Sequence, residues 1–203
     1  MIVIEGMDNT GKTHLQDALI KEYGFEGVHS PGPKDYDTVI SWVIEAFNKD
    51  RGIPVLYDRF PLISEAVYGP TLRGRNIFNE SPMGVELQRR FREEVHPLII
   101  YCRPPGEVIH RWNDREQMDG VIENSKALLK EYEDLMQLMK PHYSIVQYDY
   151  TQPHDFGRVL EKVDSHMQWW IRNRFDKAVV AYKTPGPNRC YDIIKRFGGE
   201  DFI

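Results

Sequence analysis

Eight residues near the start of the chain, Gly6-Met-Asp-Asn-Thr-Gly11-Lys12-Thr13, follow the spacing G-x-x-x-x-G-K-S/T. Ile2-Val3-Ile4 before them is a short β-branched run that reads as a buried strand, and Leu15, Ala18, Leu19 and Tyr23 after them fall at helical spacing up to Gly24. A strand that enters a glycine-bearing loop and leaves as a helix is the context in which this spacing has physical meaning. Backbone N–H groups around Gly11 and at the helix N-terminus then form a concave set of donors for phosphate oxygens. Lys12 adds a mobile positive charge for the β- and γ-phosphates, and the Thr13 hydroxyl suits a Mg²⁺ ion. Gly6, Asn9, Thr10, Gly11, Lys12 and Thr13, with Leu15 on the helix, are the candidate nucleotide-binding set. A glycine turn beside a chance lysine is the competing reading, and the strand–loop–helix order speaks against it.

The rest of the chain keeps the same alternation. Phe25-Glu-Gly-Val-His29, Ile53-Pro-Val-Leu-Tyr57, Pro97-Leu-Ile-Ile-Tyr101 and Ser144-Ile-Val-Gln-Tyr148 read as strands. Val39, Ile40, Val43, Ile44 and Phe47 mark one intervening amphipathic helix, and Leu128, Tyr132, Leu135 and Met139 another. Strands alternating with helices predict an α/β fold of three layers, a central parallel sheet with helices on both faces. Ligands on such sheets bind beyond the carboxyl ends of the strands. The chemistry-bearing residues lie there: Asp58-Arg59-Phe60 ends one strand, Ser64-Glu-Ala-Val-Tyr68-Gly69 and Arg73 follow, and Arg103, Arg111 and Arg115 follow the next.

These segments carry a family resemblance. Ile4-Glu-Gly-Met-Asp-Asn-Thr-Gly-Lys-Thr13 resembles the opening of thymidylate kinases, E-G-x-D-G-A/S-G-K-S/T, and Asp58-Arg59-Phe60 resembles their D-R-Y/H/F motif. The resemblance spans about residues 1–165 and implies a P-loop kinase that moves the γ-phosphoryl of ATP, with Mg²⁺, to a deoxynucleoside monophosphate, dTMP or a pyrimidine relative. It further implies that Asp8 contacts the acceptor sugar and Arg59 grips the acceptor phosphate. Asp58 then organises Mg²⁺ and the attacking oxygen, while Arg111 and Arg115 belong to a lid that closes over the transferred group. Phe60 and Arg73 join the acceptor side, and Asp149-Tyr-Thr-Gln-Pro153 falls where such folds cradle adenine. An Asx turn at Asp8, a local ion pair at Asp58-Arg59, a solvated helix for the lid arginines and a surface role for Arg73 are the plainer readings. The chain departs from the family where an R-E-P-G-G-T-like run is expected and His29-Ser-Pro-Gly-Pro33 stands instead. That change leaves open a different acceptor, a nucleoside or a hydroxylated base within DNA. A P-loop NTPase acting as a switch is the reading from another class.

Composition narrows the remainder. Of 203 residues, 41% are hydrophobic, enough for a full core, and the two cysteines, Cys102 and Cys190, exclude a disulfide framework and a Cys-rich zinc site. No apolar run spans a membrane, and no signal peptide is evident, so a cytoplasmic location is expected. The net charge of −5 is uneven. Residues 166–203 hold seven Lys/Arg against four Asp/Glu, net +3, which leaves −8 on the other 165. The expected organisation is therefore a kinase core over 1–165 and a basic, aromatic-rich extension over 166–203. Aromatics beside arginines are one route to single-stranded DNA, and packing of those aromatics on the core is the bland counterpart. The partners expected are a nucleotide acceptor, with DNA at the extension and a second copy of the chain as further expectations.

Overall fold

The computed structural model describes residues 1–30, 32, 35–52, 54–111, 119–173 and 196–197. Among them, five strands form one sheet: β1 (Ile2–Glu5), β2 (Glu26–His29), β3 (Val55–Asp58), β4 (Leu98–Cys102) and β5 (Ser144–Tyr148). Their order is β2-β3-β1-β4-β5 and every pairing is parallel. The helices are α1 (Lys12–Tyr23), α2 (Tyr36–Lys49), α3 (Pro61–Tyr68), α4 (Pro82–Arg90), α5 (Gly106–Ile109), α6 (Ser125–Met139) and α7 (Asp155–Asn173), with π-helical turns at Gly69–Arg73 and Phe91–Val95. The predicted three-layer fold is the observed one.

Strand side chains alternate between two cores, as a pleated strand requires. Val3, Tyr57, Ile99 and Tyr101 pack with α2, α3, α4 and α6 on one face. Ile2, Ile4, Leu56, Leu98 and Ile100 pack with Leu15 and Leu19 of α1 and Val159, Val163 and Met167 of α7 on the other. Each fully buried side chain of this size contributes roughly 1.5–3 kcal/mol, so the sheet is pinned from both sides. Because β1 is central, the loop after it opens at the middle of the sheet's carboxyl edge, between the loops that follow β3 and β4.

Position 165, where the composition changes, lies inside α7, and Met167, Trp170 and Ile171 beyond it are buried on the core. The Trp170 indole N–H donates to the Asp50 carbonyl at 2.9 Å, tying α7 to the end of α2. No helix among the described residues is long and apolar enough to cross a membrane.

Candidate active site

The loop after β1 is shaped by its backbone. Gly6 has φ +142°, and a Cβ there would lie 2.5 Å from the Cys102 carbonyl oxygen of β4, a contact no side chain tolerates. Gly11, at φ +83°, caps the N-terminus of α1. The Thr10 hydroxyl donates to the Met7 carbonyl at 2.7 Å, closing the loop on itself. The first amides of α1 have no carbonyl partner within their own helix, and they point out of the loop with the helix dipole behind them. Lys12 is buried beside them and donates from Nζ to the Met7 carbonyl at 2.6 Å. Burial, and after it the charge of Arg59, lowers its pKa to about 8. Thr13 is exposed on the first turn. Leu15 is placed differently: its side chain is buried in the α1–α7 core, and only its backbone N–H reaches back, to the Gly11 carbonyl at 3.0 Å.

Asp8 and Arg59 meet across the sheet edge, with Arg59 Nη2 donating to Asp8 Oδ1 at 2.7 Å. Arg59 has φ +67°, a left-handed conformation that costs a non-glycine residue about 1–2 kcal/mol. Its backbone N–H donates to the Ile4 carbonyl at 2.9 Å, so the turn folds back over β1. Nη1 donates to the hydroxyls of Tyr68 (α3) and Tyr132 (α6), both at 3.1 Å, and the guanidinium lies 5.0 Å from the Tyr68 ring centroid. Beneath this group lies Glu5, fully buried at the end of β1. It accepts from the Phe60 N–H at 2.7 Å, the Ser64 hydroxyl at 3.1 Å and the Tyr132 hydroxyl at 3.1 Å. Burial pushes the Glu5 carboxyl upward, with Arg59 opposing it. For Asp8 burial also pushes upward, but the charges of Arg59 and Lys12 outweigh it and hold the carboxyl below its ordinary value.

Asp58 ends β3 opposite His29 of β2, and His29 Nδ1 lies 3.1 Å from Asp58 Oδ2. Asp58 Oδ1 is buried without a hydrogen-bond partner. A cleft of about 390 Å³ opens beside these residues, lined among others by Asp8, His29, Arg59, Glu65, Tyr68 and Arg73. Arg73 pairs there with Glu65 of α3. Phe60 is not part of its surface: the ring is fully buried, 5.1 Å from Phe91 and 6.2 Å from Phe47, and its contribution to the site is the backbone N–H held by Glu5.

On the other side of the loop, Tyr150 in the turn after β5 lies over Gly11, its ring 2.8 Å from where a Gly11 Cβ would be. This brings the Asp149–Pro153 segment to the N-terminus of α1. Asn9 donates to the carbonyls of Ile109 and Arg111, each at 3.4 Å, so the segment after α5 is tied to the loop. The Arg111 residue is exposed, and Arg115 lies outside the described residues. Most of the C-terminal extension also lies outside them. Arg196 and Phe197 sit at the far end of α1: Arg196 pairs with Glu22 at 2.7 Å and lies over the Tyr23 ring, and Phe197 stacks on the same ring. A twelve-residue helix separates them from the loop after β1 by about 18 Å.

Sequence reading passed over Glu5 and Tyr132 as site residues, and took Glu65, Tyr68 and His29 only as members of the segments Ser64–Gly69 and His29–Pro33. Glu5 carried the same signal as Asp58, an acid ending a buried strand. Tyr132 carried none, because at helical spacing with Leu128 and Met139 it is indistinguishable from core.

The fold is shared with solved structures. The YorR protein from Bacillus subtilis, in complex with phosphorylated GDP, matches with TM-score 0.59 and 18% sequence identity over 81% of this chain and 96% of that one. Deoxyadenosine kinase from M. mycoides with bound dATP matches with TM-score 0.55 and 16% identity over 80% and 98%. No protein-family model matches the chain, and no curated protein matches it. The architecture, a five-stranded parallel sheet between two helical layers, is the fold shared with both structures.

Proposed function

We propose that the chain is a kinase that transfers the γ-phosphoryl of ATP to an acceptor of nucleoside or nucleotide type. One observation carries this reading: the 2.7 Å contact from Arg59 to Asp8 joins the phosphate loop to a cleft of ligand size, so one residue of the loop faces both. A hydrolytic switch needs no such second cleft. Lys12 and the first amides of α1 hold the donor phosphates. Thr13 and Asp58 would hold Mg²⁺, and the buried Oδ1 of Asp58, without a hydrogen-bond partner, fits that duty. Held there, the ion would supply positive charge that offsets the negative charge of the phosphates during transfer. In the transfer an acceptor oxygen forms a bond to Pγ, the bond from Pγ to the β–γ bridging oxygen breaks, and ADP departs. Arg111 and Arg115 serve the lid.

The ligands of the two similar structures, phosphorylated GDP and dATP, support a nucleotide as ligand. The finer form implied by the thymidylate kinase resemblance is dTMP or a pyrimidine relative as acceptor, handled in the cytoplasm by a core over 1–165 with 166–203 as extension. The test is ADP release with Mg²⁺-ATP and a mixture of nucleosides and nucleoside monophosphates. Release that depends on acceptor and is lost in Lys12→Ala supports the reading. Release at the same rate in folded Lys12→Ala refutes it.

A further inference from the structure

Resting on the kinase reading, we infer that Glu5 is a positioning residue of the acceptor side: it sets the orientation of Arg59 and thereby which guanidinium hydrogens are left for the acceptor. Its influence passes along two routes. The first is the backbone. Glu5 accepts from the N–H of Phe60, the residue after Arg59, at 2.7 Å, while the Arg59 N–H donates to the carbonyl of Ile4, the residue before Glu5, at 2.9 Å. These two bonds bracket the Arg59 turn, whose φ of +67° persists only where the surroundings over-determine it. The second route is the side chain. The Tyr132 hydroxyl donates to Glu5 Oε2 at 3.1 Å, and its oxygen accepts from Arg59 Nη1, also at 3.1 Å. A carboxylate is an acceptor only, so Glu5 fixes the direction of this chain: Tyr132 must donate on one side and is left to accept on the other.

Nη1 spends its hydrogens on Tyr68 and Tyr132, and Nη2 gives one to Asp8. What remains is the Nε–H and the second Nη2 hydrogen, on a side chain that lines the cleft. These are the donors an acceptor oxygen can take, and they are selected by groups that lie beneath the site. Packing alone does not call for a carboxylate at this place. A buried charge costs stability that an apolar group of similar volume does not, and α3 and α6 already meet through the rings of Tyr68 and Tyr132, 5.9 Å apart. The amide of Glu5→Gln keeps the size but reverses the polarity. Its N–H₂ group must face either Tyr132 or the donors of Phe60 and Ser64, so one of the two routes to Arg59 is lost.

The test is a double-mutant cycle of Glu5→Gln and Arg59→Ala, read by kcat/KM for the best acceptor and by the ATP Kd in calorimetry. Glu5→Gln should lower acceptor kcat/KM by about 100-fold, the scale of a misplaced contact, with the ATP Kd within about twofold. On the Arg59→Ala background it should change acceptor kcat/KM by less than about twofold, because a residue that acts through Arg59 has nothing left to position. The same factor in both backgrounds, which a purely structural role would give, overturns the inference, and so does an unchanged kcat/KM in folded Glu5→Gln. If Glu5→Gln does not fold, Tyr132→Phe, which keeps the Phe60 bond to Glu5, replaces it in the cycle. The drop should then be about tenfold, the scale of one hydrogen bond, again absent in Arg59→Ala; equal factors overturn the inference here too. A readout without turnover is NMR of ¹⁵N-arginine-labelled protein, with Arg59 assigned by its loss in Arg59→Ala. A clamped guanidinium predicts separate Nη proton signals in the wild type that merge in the Glu5 or Tyr132 variant, and signals already merged in the wild type overturn the inference. Failure of the kinase reading looks different: the Arg59 signals behave as described, yet ADP forms at a rate indifferent to every acceptor.

Discussion

The loop after β1 and the cleft beside it are built in opposite ways. The loop is a backbone device: two left-handed glycines, a row of helix N-terminal amides and a single lysine, all within eight consecutive residues. The cleft is a side-chain device, in which Glu5, Asp8, Arg59, Tyr68 and Tyr132 arrive from five places in the chain and hold one another through hydrogen bonds. The loop concentrates positive potential, and the cleft cancels its charges in pairs. A local backbone site tolerates few substitutions but depends on little else. A convergent side-chain site depends on every element that delivers a residue, and its chemistry is tuned by pairing rather than by net charge.

The difference predicts a ranking of variants. Lys12→Ala removes the one cationic side chain of the loop, and kcat should fall by about 10²–10³ or more, as for loss of a single transition-state donor, with far-ultraviolet circular dichroism unchanged. A smaller kcat effect than that of any cleft variant would break the comparison. Next come the glycines. Gly6→Ala meets the rigid Cys102 carbonyl and a backbone strain of about 1–3 kcal/mol, so both Tm and ATP affinity should drop. Gly11→Ala meets the ring of Tyr150, a half-exposed side chain with room to turn, and should cost only the left-handed strain of about 1–2 kcal/mol. Equal losses in the two variants would show that the loop is not held by the β4 carbonyl.

Tyr132→Phe probes the cleft. It takes one donor from buried Glu5 and one acceptor from Arg59, for a destabilisation of about 1–3 kcal/mol in urea unfolding. Acceptor KM should rise while ATP binding is untouched, and a change in ATP binding would mean that the two regions are not independent. The smallest effect is a control away from both. Burial, aided by the nearby Met1 ammonium, pushes buried His166 down to about 3, so the fold holds it neutral while the unfolded chain protonates it near its ordinary value. The unfolded state then binds more protons below about pH 6.5, and stability should fall with decreasing pH by up to about 1.4 kcal/mol per unit. His166→Met should flatten that slope. Comparison of loop and cleft is therefore cleanest at pH 7 and above.

The same contrast explains what was legible in the sequence. The strands were visible because a buried parallel sheet demands continuous β-branched runs: Ser144–Tyr148 was read at its observed bounds, and Val55–Asp58 and Leu98–Cys102 within two residues. The loop was visible because its function needs fixed residues at fixed spacing. Asp58 and Arg59 stood out as charge at the end of a buried strand. The helix at Pro61–Tyr68 was not read as a helix, because its eight residues are too few for a clear period, and the roles of Tyr132 and Glu65 were hidden because partnership across 127 positions in one case, and eight in the other, leaves no local trace. Phe60 and Leu15 were named from their places in the motifs, and packing puts the Phe60 ring in one core and the Leu15 side chain in the other. Local constraint is readable; convergence is not.

The most direct test of the central claim follows the fate of the phosphoryl group. With γ-labelled ATP, Mg²⁺ and a set of nucleosides and nucleotides, the account predicts label covalently attached to an acceptor, in amount equal to ADP formed. Label appearing only as inorganic phosphate, at a rate indifferent to any acceptor, would contradict it and make the chain a nucleotide hydrolase.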